Sequence, residues 1–331
     1  QRAETARANF VAAGVRGRLT VPGSTIEDWA SCGSCPDCFL PAFNYRPKSS
    51  VQYIMALSNA DQTSSDPMRF HFGFIASSDN HSARPGTGYK EYDRIPNTEA
   101  RGPRDATWYD RVNEGIPREQ TPESAPFDFA GTKLQNFQVL DFERQASFFL
   151  TGGLVAVHAE GRSRDAIWNS LQRREVYGTS GDRILLWFDL LNAPQGTVSM
   201  GNTAQLAEAP RFRVRAAGAL KQAEGCSDAT REGLSADRLE RLCRGECYNP
   251  TDERRRITRV EVVRIRPRVN PDEPVGSLIQ DPWRTIPCSG DPAGCSVEFE
   301  DPEWVGEHRE VLYYVRAIQE PTLVVNADLE R

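Results

Sequence analysis

The pattern of apolar and polar positions changes character near residue 185. Before that point, short apolar runs at residues 70–77 and 152–159 are bounded by polar residues, and each predicts a buried strand. Helices are predicted at residues 49–57, where apolar side chains recur, and from Ser163 to about residue 174, where Ile167 and Leu171 lie one turn apart. This part of the chain is therefore predicted to combine helices with buried strands.

Beyond residue 185 the apolar runs are short, β-branched or aromatic, and often alternating. They predict strands at residues 184–191, 212–216, 257–265, 297–299 and 311–318. Strands that follow one another without intervening helices favour an antiparallel, sandwich-like domain. We therefore predict two domains, residues 1–185 and residues 186–331, with a long loop insertion at residues 84–128 that is rich in Pro, Gly and charge.

Charge and hydropathy argue against two classes of function. The net charge is −6 and the arginines are interleaved with Asp and Glu, so the chain lacks the basic field that nucleic-acid binding requires. No apolar stretch approaches the roughly 18 residues of a membrane-spanning helix. The chain opens with Gln1 rather than Met and shows no signal peptide, which suggests a processed or trimmed protein.

The eight cysteines indicate the compartment. Five of them, Cys226, Cys243, Cys247, Cys288 and Cys295, lie in loop-like sequence rich in Gly, Pro, Ser and Asp, where disulfides stabilise long connections. An even number of cysteines in such a setting favours an oxidising compartment. We therefore predict a periplasmic or secreted protein that contains disulfides.

The other three cysteines, Cys32, Cys35 and Cys38, allow three interpretations. Thiolates at this spacing could begin a zinc or iron–sulfur site, but no fourth ligand is evident. A Cys-x-x-Cys pair could be redox-active, but no thioredoxin-like pattern surrounds it. Structural disulfides are the preferred interpretation.

The sharpest chemical signal is residues 77–81, Ser-Ser-Asp-Asn-His, at the end of the predicted strand 70–77. Functional side chains in α/β enzymes often follow the carboxyl ends of strands. The Asp79 carboxylate supplies a hard oxygen, and a neutral His81 imidazole suits Zn, Mn or Fe. The alternative is a polar strand end in which Asp79 caps backbone amides and His81 is solvated.

Three motifs in order resemble one known family. Residues 72–81 (Phe-Gly-Phe-Ile-Ala-Ser-Ser-Asp-Asn-His) look like the last metal motif of PHP (polymerase and histidinol phosphatase) hydrolases, most of all the DUF3604 branch. Residues 152–160 (Gly-Gly-Leu-Val-Ala-Val-His-Ala-Glu), followed by residues 173–184 (Arg-Arg-Glu-Val-Tyr-Gly-Thr-Ser-Gly-Asp-Arg-Ile), resemble the same branch. Residues 313–321 (Tyr-Tyr-Val-Arg-Ala-Ile-Gln-Glu-Pro) form the third match.

This resemblance implies the C-terminal part of a distorted α/β, (β/α) PHP-type barrel with two or three divalent metal ions, Mn, Fe or Zn. Asp79 and His81 would be metal ligands by this resemblance. PHP sites also use a His-x-His pair, which this chain lacks among its four histidines. A preceding N-terminal segment or chain would then complete the barrel, or the site is degenerate. His158 stands where relatives are expected to carry Trp.

Further candidates surround these motifs. Glu160 could accept a proton, orient a ligand histidine, or pair with a neighbouring arginine. Arg183 follows a Thr-Ser-Gly turn and could contact an anionic substrate, or could be structural at a domain junction. Arg84 is a weaker candidate of that kind, whereas His71 is expected to be structural and His308 solvated.

The resulting hypothesis is an exported metal-dependent hydrolase, a phosphoesterase that uses metal-activated water on a small anionic substrate. The alternative is a non-catalytic exported binding or scaffold protein on a degenerate PHP barrel. Further ligands upstream would favour the enzyme, since the histidines of this chain cannot form a complete site of that kind.

Overall fold

The computed structural model describes residues 50–58, 69–77, 106–112, 153–243, 245–307 and 309–322. The chain forms two compact units, Gln1–Val51 with Glu99–Phe149, and Gln52–Thr98 with Leu150–Arg331. Helix α2, Ala106–Val112, belongs to the first unit. The elements that follow belong to the second unit, and the predicted division at residue 185 stays a prediction.

The second unit is built mainly of antiparallel strands joined by short helices. Its helices are α1 (Val51–Leu57), α3 (Arg164–Gln172), α4 (Asp228–Gly233), α5 (Ala236–Cys243) and α6 (Trp304–Glu307), with a 3₁₀ turn at Val275–Leu278. Its strands are β1 (Leu154–Val157), β2 (Val176–Thr179), β3 (Leu185–Ala193), β4 (Gly196–Ser199), β5 (Arg211–Ala217), β6 (Leu220–Gln222), β7 (Pro250–Arg254), β8 (Ile257–Ile265), β9 (Ile279–Pro287), β10 (Cys295–Glu300) and β11 (Leu312–Gln319).

Two antiparallel sheets form the core of this unit. One has the strand order β10-β5-β3-β4, and the other has the order β11-β8-β9. Their apolar faces meet in a single buried cluster, to which β3, β5 and β10 contribute from one sheet and β8 from the other. The cluster consists of Leu186, Phe188, Phe212, Val214, Ala216, Ile257, Val260, Val262, Cys295 and Phe299.

Strand β8 is the central strand of its sheet and is buried on both faces. Val260 and Val262 point into the cluster between the sheets, whereas Val263 and Ile265 belong to a second cluster on the opposite face. Side chains of a strand alternate between its two faces, so this division follows directly from their positions. A strand covered on both sides carries apolar residues at adjacent positions, as Val262 and Val263 do here.

Helix α1 covers the outer face of β8. Its Met55 and Ala56 are buried in the second cluster beside Val263 and Ile265. One turn earlier, the Gln52 amide nitrogen donates a 2.6 Å hydrogen bond to the Asp281 carboxylate on β9. Apolar burial and a polar anchor together join this short helix to the sheet.

The prediction of a (β/α) barrel is wrong, because the described residues are mostly antiparallel sheets and form no closed barrel. Successive strands of a (β/α) barrel run parallel across the intervening helix. Instead β1 and β2 pair antiparallel, with Leu154 opposite Thr179 and Val157 opposite Val176. The connection through α3 therefore begins and ends at the same end of the pair, and β2 returns along β1.

The prediction of a buried strand at residues 70–77 is also wrong. This segment has no regular strand pairing, and most of it is exposed, including Phe72 and Ile75. Its aromatic-rich sequence suits a strand, but the segment contacts Gly153, just before β1, and Gly178 on β2 without pairing to either strand. Phe74 instead contacts the Tyr314 ring, with 6.2 Å between ring centroids.

Other elements agree with their predicted positions. Helix α3 begins where Ser163 was predicted to cap it, and the Ser163 hydroxyl accepts a 3.1 Å hydrogen bond from the Ala166 amide. The predicted strands beyond residue 184 correspond to β3, β5, β8, β10 and β11, each within a few residues of its predicted bounds. Helix α1 likewise lies within the predicted range 49–57.

Disulfides are present, as predicted. Cys226 is bonded to Cys247, and Cys288 is bonded to Cys295. Among the described helices, none is long and apolar enough to cross a membrane. The disulfides are compatible with a periplasmic or secreted protein.

Candidate functional site

The segment before the predicted metal motif is held against the β1–β2 pair by two glycines. A Cβ atom on Gly153 would lie 2.9 Å from the Ala76 Cβ and 3.0 Å from the backbone nitrogen and oxygen of Ser77. A Cβ atom on Gly178 would lie 2.9 Å from the same Ala76 Cβ. Real side chains do not approach this closely, so both positions require glycine for residues 76 and 77 to take this path.

The segment runs parallel to β2. Gly73 lies beside Arg174, just before β2, and Ala76 lies beside Gly178 within it. Ser77 therefore reaches the end of the β1–β2 pair that is formed by Gly153 and the Leu154–Thr179 partners. The motif that begins at Ser77 thus leaves this end of the pair.

The predicted metal ligands Asp79 and His81 lie outside the described residues. The same holds for Arg84, His308 and the three cysteines at positions 32, 35 and 38. Their assignments stay predictions.

Glu160 lies at the opposite end of the β1–β2 pair from Ser77. It follows β1, whose last residue Val157 pairs with Val176, and β1 alone extends on the order of 10 Å. The Glu160 carboxylate is exposed. It makes a small contribution to the raised pKa of Arg173, whose main cause is a hydrogen bond to Glu175. The structure therefore separates Glu160 from the point where the motif begins, and its catalytic role stays a prediction.

Arg183 lies four positions beyond β2, which ends at the same end of the pair that Ser77 reaches. Its guanidinium carbon is 3.7 Å from the centroid of the Tyr248 ring, within the range of a cation–π interaction. The arginine side chain is thus held by an aromatic face while the residue remains exposed. An exposed guanidinium whose position is set by packing can bind an anion at low entropic cost.

His158 has a structural environment. Its Nε2 atom lies 2.9 Å from the carbonyl oxygen of Leu186, so this nitrogen carries the proton and donates. The ring also contacts Tyr177 and Trp187, with centroids 5.5 Å and 6.1 Å away. The imidazole therefore joins the end of β1 to β3, which is a packing task that Trp could also perform.

His71 is also bound to the protein, as expected. Its Nε2 atom lies 3.0 Å from one carboxylate oxygen of Glu310, and the Arg69 Nε donates to the other oxygen at 2.9 Å. Glu310 precedes β11, so the two side chains connect the start of the 69–77 segment to the three-stranded sheet.

Sequence reasoning missed a buried polar network between the sheets. Arg264 on β8 and Asp301 after β10 each have only 1% of their side chain exposed. One guanidinium nitrogen of Arg264 donates to both oxygens of Asp301 at 2.8 Å, and the Tyr313 hydroxyl donates to Asp301 at 2.6 Å. A signal was present in the sequence, because Arg264 interrupts the apolar run of β8 and a buried charge needs a partner.

Two further nitrogens of Arg264 also have partners. Its Nε donates to the Gln280 side chain at 2.6 Å, and a second terminal nitrogen donates to Glu303 at 2.5 Å. The Trp283 ring covers the guanidinium at 4.4 Å. Burial by itself would lower the pKa of Arg264, but the hydrogen bonds to Asp301 and Glu303 outweigh it and raise that pKa. This arrangement connects β8, β9 and β11.

Three cysteine sulfurs converge in the excursion between β6 and β7. The sulfurs of Cys226, Cys243 and Cys247 all lie within 4.8 Å of one another. Among the residues that the structure describes, they are the one cluster of His, Cys, Asp or Glu side chains arranged as metal ligands would be. Cys226 and Cys247 form a disulfide, and Cys243 carries a free thiol.

Residues 51–218 match a family described as "Protein of unknown function (DUF3604)". The match covers half of the chain and includes α1, the 69–77 segment and the strands from β1 to β5. The chain belongs to the DUF3604 family. No curated protein and no solved structure matches it. Within this DUF3604 protein, both glycines that contact Ala76 lie inside the matched region, whereas both disulfides lie outside it.

Proposed function

We propose that this DUF3604 protein is an exported, metal-dependent hydrolase of the phosphoesterase type. Asp79 and His81 would hold divalent metal ions, in keeping with the resemblance of their motif to PHP hydrolases. The proposal rests on one observation above all, the close packing of residues 76 and 77 against Gly153 and Gly178. That packing gives the chain a defined starting point for the Asp-x-His motif that follows.

The donor chemistry suits the metals proposed. A carboxylate and an imidazole separated by one residue are ligands that Zn, Mn and Fe accept. Such ions lower the pKa of bound water and polarise a phosphoryl oxygen. This chain would contribute the ligand atoms of Asp79 and His81, and Arg183 would bind the charged oxygens of the substrate.

The metal content of the purified protein tests this proposal. We expect about two or three equivalents of Mn, Fe or Zn by elemental mass spectrometry, and a loss of this metal when Asp79 and His81 are both replaced by Ala. The matched control is His71→Ala, because His71 is a nearby histidine that is bound to Glu310 and lies outside the motif. Equal metal content in the double variant and the control would refute the assignment.

Activity is tested separately with phosphomonoester and phosphodiester reporter substrates on the metal-loaded protein. Arg183→Gln should raise KM more than it lowers kcat, because an anion-binding side chain acts mainly on substrate affinity. If the metal-loaded protein hydrolyses neither ester class, the metal-site assignment stands and the phosphoesterase proposal is refuted.

The alternative proposal is a non-catalytic exported binding protein. It is supported by helix α3, on which Ile167, Trp168 and Leu171 are all exposed, Trp168 to 58%. Apolar side chains gathered on an exposed helix face are typical of a surface that binds another protein. A metal-free protein that resists reconstitution would favour this alternative.

A further inference from the structure

The excursion between β6 and β7 depends on its disulfide for its fold. It contains helices α4 and α5, and neither helix has a buried residue. The Cys226–Cys247 bond closes this excursion with a sequence separation of 21 residues. Because the helices bury so little, the covalent connection contributes a large share of what keeps them in place.

A free thiol lies directly beside this disulfide. The Cys243 sulfur is 2.8 Å from the Cys247 sulfur and 3.8 Å from the Cys226 sulfur. The shorter distance is inside the van der Waals contact of two sulfur atoms. Cys247 is therefore the bonded sulfur that Cys243 can attack, and Cys226 is the one that would leave.

We propose that these three cysteines form a thiol–disulfide exchange centre. The Cys243 thiol loses its proton to solvent, and the thiolate attacks the Cys247 sulfur. A bond forms between Cys243 and Cys247 while the Cys226–Cys247 bond breaks, and the Cys226 thiolate takes up a proton. One disulfide and one thiol are present before and after, so the step needs no oxidant or reductant.

The geometry requires one movement before the attack. Exchange proceeds with three sulfurs in line, whereas the 3.8 Å separation of the outer two shows that they are bent. The Cys243 sulfur also lies 3.2 Å from the Leu239 carbonyl oxygen, to which its thiol donates. Breaking that hydrogen bond and rotating the side chain brings Cys243 into line, and this residue is the last of helix α5.

Exchange changes what the disulfide connects. The Cys226–Cys247 bond joins the start of α4 to the chain beyond α5, whereas a Cys243–Cys247 bond joins residues only four positions apart. The second bond leaves Cys226 and the helix that follows it untethered. The centre is thus a switch between a closed and a released form of the excursion, located outside the part of the chain that matches the family.

The exchange can be followed directly because trypsin separates the three cysteines. Cleavage after Lys and Arg places them on the peptides 222–231, 242–244 and 245–254. The full-length protein is incubated at mildly alkaline pH, quenched with acid, and labelled with N-ethylmaleimide in denaturant. We expect the label on both Cys243 and Cys226, and peptide 245–254 linked to each of the other two. A label confined to Cys243 at all incubation times would overturn the proposal.

A variant gives a second, independent test. In Cys226→Ser oxidised with glutathione disulfide, which takes up the two electrons, we expect a Cys243–Cys247 disulfide and therefore a complete loss of label from the cluster. Label on both Cys243 and Cys247 in this variant would contradict the proposal. Retention of one zinc ion by the wild-type protein, with all three thiols labelled only after chelation, would also overturn it in favour of a metal site. If the variant does not fold, the wild-type labelling decides alone.

Discussion

The buried ion pair between the sheets makes a quantitative prediction about stability. Asp301→Ala removes the carboxylate that accepts from Arg264 and from the Tyr313 hydroxyl. Both side chains of the ion pair are 1% exposed, so water cannot replace the lost partner without rearrangement. Breaking a pair of this kind costs about 3–5 kcal/mol.

The structure places the expected value at the lower end of that range. Glu303 still accepts from Arg264 after the substitution and partly neutralises its charge. We therefore expect Asp301→Ala to lower the free energy of unfolding by about 3 kcal/mol. Glu303→Ala is the matched control, because that side chain is 59% exposed and its loss should cost about 1 kcal/mol or less.

Urea unfolding followed by tryptophan fluorescence measures the effect, since the Trp283 ring lies against the Arg264 guanidinium. The double variant Arg264→Met with Asp301→Ala should lose less stability than Asp301→Ala alone, because it removes the uncompensated buried charge. If Asp301→Ala lowers the free energy of unfolding by less than about 1 kcal/mol, this reasoning is refuted. A double variant that is less stable than the single one would refute it as well.

Three further predictions follow from individual contacts. Gly153→Ala should destabilise the protein by about 1–3 kcal/mol, because the added Cβ atom would meet the backbone of Ser77. Gly161→Ala is the matched control, because a Cβ atom at that position meets nothing within 4 Å. Equal melting temperatures of the two variants would contradict this prediction. Burial and a hydrogen bond to Asp301 raise the pKa of Tyr313, so stability should fall as pH rises above about 10, where tyrosine ionises in the unfolded chain, and less steeply in Tyr313→Phe. A hydrogen bond from Arg309 lowers the pKa of Glu273, so the stability that this ionised carboxylate contributes should be lost as pH falls below about 4.3. The urea unfolding midpoint of Glu273→Gln should therefore fall less than that of the wild type over the same pH range.

Local features of the second unit were predictable from the sequence. The cap at Ser163 and the strands beyond residue 184 depend on residues close together in the chain, such as a hydroxyl before a helix or alternating apolar positions. The presence of disulfides followed from cysteines in loop-like sequence, although their pairing did not. The candidate site was predictable only as a motif, since Asp79 and His81 are outside the described residues.

The direction of strand pairing was decided by the tertiary structure. The order of strand, helix and strand from β1 to β2 suits a parallel barrel unit, yet the register joins Leu154 to Thr179 and makes the pair antiparallel. Likewise, the aromatic run at residues 70–77 suits a strand, but this segment contacts Gly153, just before β1, and Gly178 on β2 without pairing to either strand. The network around Arg264 also joins residues far apart in the chain. Side-chain patterns determine where a strand or helix forms, whereas its partner and direction depend on backbone groups that meet only when distant segments fold together.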